Sequence, residues 1–149
     1  MDLLPTNLTV RPSGRYAGRG TEPGQPTTGY LRFWAPLLGP TATLAYRHLL
    51  DATSDGTSCG YINTGHLAHD LGIGRGRGRD STLVRTLRRL ERYGLIDEAP
   101  QADTIALAIH LPWLGRHQLD RLRPDLAHLE RLCRQATEAT SVVDPRLEG

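Results

Sequence analysis

Apolar positions along the chain recur at two different spacings, and each spacing predicts its own kind of element. From Pro40 onward, Leu44, Ala45, Leu49 and Ala52 repeat at helical intervals with Arg47, His48 and Asp51 turned away, predicting a first helix over 40–53. Pro40 suits the first helical turn, where its missing N–H costs nothing. The run Thr53-Ser54-Asp55-Gly56-Thr57 closes the helix with turn residues. Gly60-Tyr61-Ile62-Asn63 fits a short edge strand. Thr64 is then the expected N-cap of a short helix over 65–71 that buries Leu67, Ala68 and Leu71. Gly72 stops it, and Ile73 follows as a hydrophobic anchor. The most regular helix is predicted from Thr82 to Tyr93, capped by Asp80 or Ser81. At about 100° per residue, Leu83, Leu87, Leu90 and Gly94 gather on one side with Val84 at its margin. Ser81, Arg85, Arg88, Arg89 and Arg92 gather on the other, with Thr82 beside them.

Beyond Gly94 the spacing changes to strict alternation. Leu95 and Ile96 open a strand, residues 97–103 turn around Pro100, and 104–111 alternate. Ile105, Leu107, Ile109 and Leu111 face one way, while Thr104, Ala106, Ala108 and His110 face the other, as in a β-hairpin with one buried side. Further on, Pro124 can start a new helix, and Leu122, Leu126, Leu129, Cys133 and Ala136 repeat at heptad-like intervals. Two such repeats leave two readings open: packing back onto the domain, or a homodimer contact through Leu122, Leu126, Leu129 and Cys133.

Neither spacing runs through the first 29 residues, where Pro5, Pro12, Pro23 and Pro26 are interspersed with glycines. A segment with so little to bury cannot offset its ordering entropy, so 1–29 reads as a flexible arm. Arg11, Arg15 and Arg19 along it suit either a solubilising tail or a basic arm following a DNA groove. Structure is expected to begin near Tyr30, where Leu31, Phe33, Trp34, Leu37 and Leu38 are densely apolar. The predicted organisation is a flexible arm over 1–29, a folded domain over 30–111, a helical extension over 112–140 and a disordered tail over 141–149. The predicted class is α+β, mostly α.

Composition narrows the function classes. The chain has 149 residues, 38% hydrophobic and 23% charged, as globular domains do. With 5% aromatic residues, its core must be chiefly aliphatic. No apolar run reaches the ~18–20 residues of a membrane span, and no basic segment precedes an apolar one at the N-terminus. The expected location is the cytoplasm, in association with the nucleoid. Cys59 and Cys133 lie far apart and read as reduced thiols. The net charge of +2 conceals an uneven distribution. All 18 basic residues are arginine. Since the lysine codons AAA and AAG are avoided in G+C-rich genomes, arginine usage says little by itself. Position says more: Arg75, Arg77, Arg79, Arg85, Arg88, Arg89 and Arg92 crowd into one short stretch.

The chemistry of catalysis and metal binding is hard to place in this sequence. His66 and His69 are spaced i,i+3, yet there is no HExxH, no paired cysteine spacing and no designated fourth ligand. They read as surface histidines, and no metal is expected. There is no GxSxG, no Walker-type Gly-x4-Gly-Lys and no lysine at all. The glycine-rich run at 74–79 follows no buried strand of a βαβ unit, so a nucleotide site is not expected there. Neither enzymatic activity nor a cofactor is expected.

The order of elements, with two stretches of sequence, carries a resemblance. Thr64-Gly65-His66-Leu67-Ala68-His69-Asp70-Leu71-Gly72-Ile73 is followed by Ser81-Thr82-Leu83-Val84-Arg85-Thr86-Leu87-Arg88-Arg89-Leu90-Glu91-Arg92-Tyr93-Gly94-Leu95-Ile96. Together they resemble bacterial winged helix-turn-helix regulators of the MarR and GntR type over roughly residues 40–111. The resemblance implies a supporting helix at 65–71, a recognition helix at 81–93 that enters the major groove, and a hairpin wing. Two features depart from the pattern. The connection carrying Gly-Arg-Gly-Arg-Gly-Arg-Asp is longer than the family's tight turn. The wing carries Asp97, Glu98 and Asp103 and no basic residue. Phosphate contacts are therefore expected from Arg75, Arg77 and Arg79, joined by Arg88 and Arg92 from the helix. Ser81, Thr82, Arg85 and Arg89 are the candidates for base edges. Six to eight phosphate contacts would give a log K against log salt slope of roughly −5 to −7. The expected partner is double-stranded DNA, bound by a homodimeric transcriptional regulator. Two alternatives stand beside it: a replication or partition DNA-binding protein of a mobile element, and a winged-helix protein-interaction module.

Overall fold

Between Pro40 and Ala108 helices and strands form where the spacings place them, and two further elements precede them. The computed structural model describes residues 3–141, apart from the side chains of 25, 26 and 139–141. In chain order the elements are β1 (Asn7–Ser13), α1 (Gln25–Leu38), α2 (Pro40–Ala52), β2 (Gly60–Asn63), α3 (Thr64–Asp70) and α4 (Thr82–Arg92). These are followed by β3 (Ile96–Glu98), β4 (Thr104–Ala108), α5 (Arg116–Leu119) and α6 (Pro124–Ser141). The class is α+β, with a four-stranded mixed sheet ordered β2-β1-β4-β3. The chain divides into two units at Trp113/Leu114.

The expectation of a flexible arm over 1–29 is overturned. β1 lies inside the sheet, antiparallel to β2 from Asn7↔Asn63 to Val10↔Gly60 and parallel to β4 from Thr9↔Thr104 to Ser13↔Ala108. Leu4, Leu8 and Val10 are buried, so the segment does have apolar surface to offer, at alternating positions too few to read as a pattern. Pro12 is tolerated because β1 has only β4 beside it at that level. The chain then reaches α1 through a turn fixed by Thr21, whose hydroxyl accepts from Leu111 N at 3.0 Å. The folded unit thus begins well before residue 30.

α1 forms despite Pro36 within it, because its apolar side is continuous in three dimensions: Tyr30, Leu31, Phe33, Trp34, Leu37 and Leu38 are all buried. A single residue separates α1 from α2. Gly39 takes φ +84°, a left-handed conformation costly for residues with a Cβ. α2 buries Ala42, Ala45, Tyr46, Leu49 and Leu50. The Tyr46 hydroxyl donates to Ala108 O at 2.7 Å, tying α2 to the sheet, and burial pushes the phenol well above its usual pKa.

The expected N-cap of α3 moves by one residue. Asn63 caps it, accepting from His66 N at 2.9 Å, while Thr64 is the first helical residue and donates its hydroxyl to Pro5 O at 2.8 Å. Thr64 has been recruited by the segment expected to be loose. Gly72 ends α3 with φ +72°, and Ile73 N returns to Ala68 O at 2.9 Å. The hairpin is likewise part of something larger. β4 is flanked by β1 as well as β3, and the predicted alternation fails at Ala108, which is buried alongside Leu107.

In the second unit, Pro124 is the first residue of α6. Arg134 pairs with Glu130 at 2.7 Å and donates to Leu114 O at 2.9 Å. Of the heptad-like residues, Leu122 is buried, Leu126 half-buried, and Leu129 and Cys133 exposed. Leu132, outside the predicted seam, is exposed as well. Ser141 ends α6, and the rest of the tail predicted over 141–149 lies outside the described residues. No helix of the described residues is long and apolar enough to cross a membrane.

Candidate nucleic-acid interface

α4 is built from its two sides. Ser81 caps it, its hydroxyl accepting from Val84 N at 3.2 Å in the N-cap manner, and Arg85 N bonds to Ser81 O. Leu83, Val84, Leu87 and Leu90 are buried, and so is Thr86, whose hydroxyl returns to Thr82 O at 2.7 Å. At the far end Gly94 takes φ +76°, and Tyr16 donates to its carbonyl at 3.1 Å. A Cβ at that glycine would run into the Tyr16 hydroxyl. The leucine side is therefore clamped into the core, which fixes the direction of the arginine side.

The arginines on that side differ in their environments. Arg85 and Arg92 are exposed, and among the described residues neither has a carboxylate within ion-pairing distance. Arg88 is half-buried. Arg89, expected to be a base reader, instead donates to Leu37 O at 2.8 Å and lies 6.0 Å from the Tyr93 ring. Tyr93 donates to the same carbonyl at 3.3 Å and meets Trp34 edge-on at 5.9 Å. Leu37 O belongs to the last turn of α1, whose carbonyls lack helical partners and which favours a cation. Arg89 supplies that cation.

An open groove of about 590 Å³ runs beside this face. Thr82, Thr86, Arg85, Arg88, Arg89 and Arg92 form one wall, and the α1–α2 junction from Leu38 to Ala42 forms the other. α2 begins there without a capping side chain and without an acidic residue in its first turn. The opposite wall had only one signal in the sequence, the Gly39-Pro40 step. What hid it was the distance along the chain between the junction and α4.

The Arg-Gly loop is less free than its composition suggested. Arg77 donates to Thr6 Oγ1 at 2.8 Å and to Leu4 O at 3.3 Å, and its own carbonyl accepts from Leu4 N at 2.9 Å. Leu3 and Gly78 form an isolated bridge. Arg77, a predicted phosphate contact, thus also anchors the loop to the N-terminal segment while remaining exposed. Arg75 and Arg79 flank it, both exposed. The predicted sites therefore fall into two places: Ser81, Thr82, Arg85, Arg88, Arg89 and Arg92 on α4 and its cap, and Arg75, Arg77 and Arg79 on the loop before it.

The hairpin's acidic surface also finds a partner from the supposed arm. Arg15 pairs with Asp97 at 2.6 Å, with both side chains about half exposed. The His66–His69 pair does not converge on further ligands. His69 approaches Asp70 at 3.5 Å, and no group of three His, Cys, Asp or Glu among the described residues could hold a metal ion.

No protein-family model matches the chain. No curated protein matches it either. Among solved structures, primosome protein DnaB (residues 1–300) from Geobacillus stearothermophilus aligns with 93% of this chain at 19% identity and a TM-score of 0.45. The alignment covers 51% of that chain, so the present one spans about half its length.

Proposed function

We propose that this chain is a non-enzymatic DNA-binding protein of winged helix-turn-helix type, with α2, α3 and α4 as its three helices and β3–β4 as its wing. α4 enters the major groove of double-stranded DNA. Ser81, Thr82 and Arg85, near its start, face base edges, while Arg92 and Arg88 meet phosphates, with Arg75 and Arg79 adding contacts from the preceding loop. The reading includes sequence-selective transcriptional regulation by a homodimer, with exposed Leu129, Leu132 and Cys133 of α6 at the contact.

One observation carries the reading. Arg85 and Arg92 share the exposed side of a helix whose other side is fixed in the core, and among the described residues no carboxylate compensates them. Like charges on one helix face repel, and a polyanion relieves that repulsion while releasing its own counterions. Selection of a preferred site from random duplexes, followed by binding assays, tests the proposal. Arg85→Ala should weaken binding to the selected site by about 1–3 kcal/mol and affect random duplex far less. Equal losses on both would remove Arg85 from base reading. No selected site and no retardation at low salt would refute the DNA assignment.

A further inference from the structure

The groove between α4 and the α1–α2 junction has a single chemical character. Its polar side chains are arginines and threonines, and no carboxylate, carboxamide, imidazole or aromatic ring lines it. Guanidinium groups only donate hydrogen bonds, so the matching ligand presents acceptors and negative charge. Bases bound outside a duplex are commonly held on aromatic rings, and this groove provides none. It suits the repeating phosphodiester of a nucleic-acid strand better than a free nucleotide.

We propose that the groove seats the sugar–phosphate backbone of one DNA strand, with α4 on its base side and the start of α2 on its outer side. This rests on the DNA-binding reading above. A helix with its side chains is about 10–12 Å across, and the major groove is about 12 Å wide. α4 therefore fills the major groove, and the α1–α2 junction beside it must lie outside the flanking backbone. The strand passes between them. From Arg85 to Arg92 the helix advances about 10 Å, the axial length of about three phosphates on one strand. Arg88 and Arg92 meet those phosphates from one wall. Thr41, the second residue of an α2 that begins uncapped, meets them from the other. Arg85 borders the same groove, on a side chain long enough to reach past the backbone to a base edge.

Thr41→Glu tests this. A carboxylate in a first helical turn is favourable to the helix, so the variant should melt at or above the wild-type temperature. Its affinity for a short duplex should nevertheless fall by about tenfold, with the salt slope shallower by about one. Thr41→Arg should do the reverse. If Arg85→Ala weakens duplex binding while Thr41→Glu and Thr41→Arg change neither affinity nor slope, the backbone does not occupy the groove, and the DNA reading survives. If wild-type protein binds no duplex at low salt, both proposals fall together. Inorganic phosphate displacing the duplex at millimolar concentration would point to a free-anion site and would overturn the proposal as well.

Discussion

Arg85 and Arg89 stand one turn apart on α4, yet their surroundings separate them. Arg89 donates to the last turn of α1, whereas Arg85 has only the groove before it. Periodicity put both on one face and could not distinguish them, because the acceptor, Leu37 O, lies 52 residues away along the chain. Arg89→Ala should therefore lower unfolding stability by about 1 kcal/mol, the worth of an exposed charge-assisted hydrogen bond, while Arg85→Ala stays within about 0.5 kcal/mol of wild type. Urea denaturation of the two variants checks this, and equal stabilities would contradict it. Tyr46 makes a second residue-scale prediction. Burial raises its folded-state pKa above the unfolded value of 10.0. The neutral phenol's contribution is therefore fully present below about pH 10 and is lost as pH rises beyond it. Tyr46→Phe should flatten that alkaline loss of stability, measured by thermal melts across pH 8–11.

At the scale of elements, legibility followed locality. α4 could be read because eleven consecutive residues alternate between leucine and arginine sides, and α2 because its apolar residues recur within one helix. α1 was obscured by Pro36 and by Gly29, although its buried side is among the most apolar in the chain. β1 was unreadable for a deeper reason. Its stability comes from ladder hydrogen bonds to β2 and β4, formed at residues about 50 and 95 positions further on. Only Leu8 and Val10 marked it as a strand. Because β1 joins the two halves of the sheet, Val10→Asp should destabilise the protein by several kcal/mol by burying an unpaired charge. A loose arm would tolerate it. A wild-type melting curve for Val10→Asp would contradict the placement of β1. The same non-locality governs the candidate site: its arginines were visible, whereas the far wall and the anchoring of Arg77 to Thr6 appear only once distant segments meet.

For the whole molecule, the net charge of +2 gives little reason to expect a polyanion ligand. The fold changes that by sorting the charge. Arg15 neutralises Asp97, Arg134 pairs with Glu130, and Arg77 and Arg89 are spent on the scaffold. Arg75, Arg79, Arg85 and Arg92 stay exposed around α4 and the loop leading into it. With Arg75, Arg79, Arg88 and Arg92 as the phosphate contacts, the slope expected from sequence, roughly −5 to −7, contracts to about −4, close to 0.9 for each of these four arginines. The most direct measurement is the salt dependence of duplex affinity, followed by fluorescence anisotropy between about 50 and 200 mM salt. A linear log–log plot with a slope near −4, losing about one unit in Arg92→Ala, is the predicted result. Affinity indifferent to salt, or no binding at the lowest salt, would contradict it.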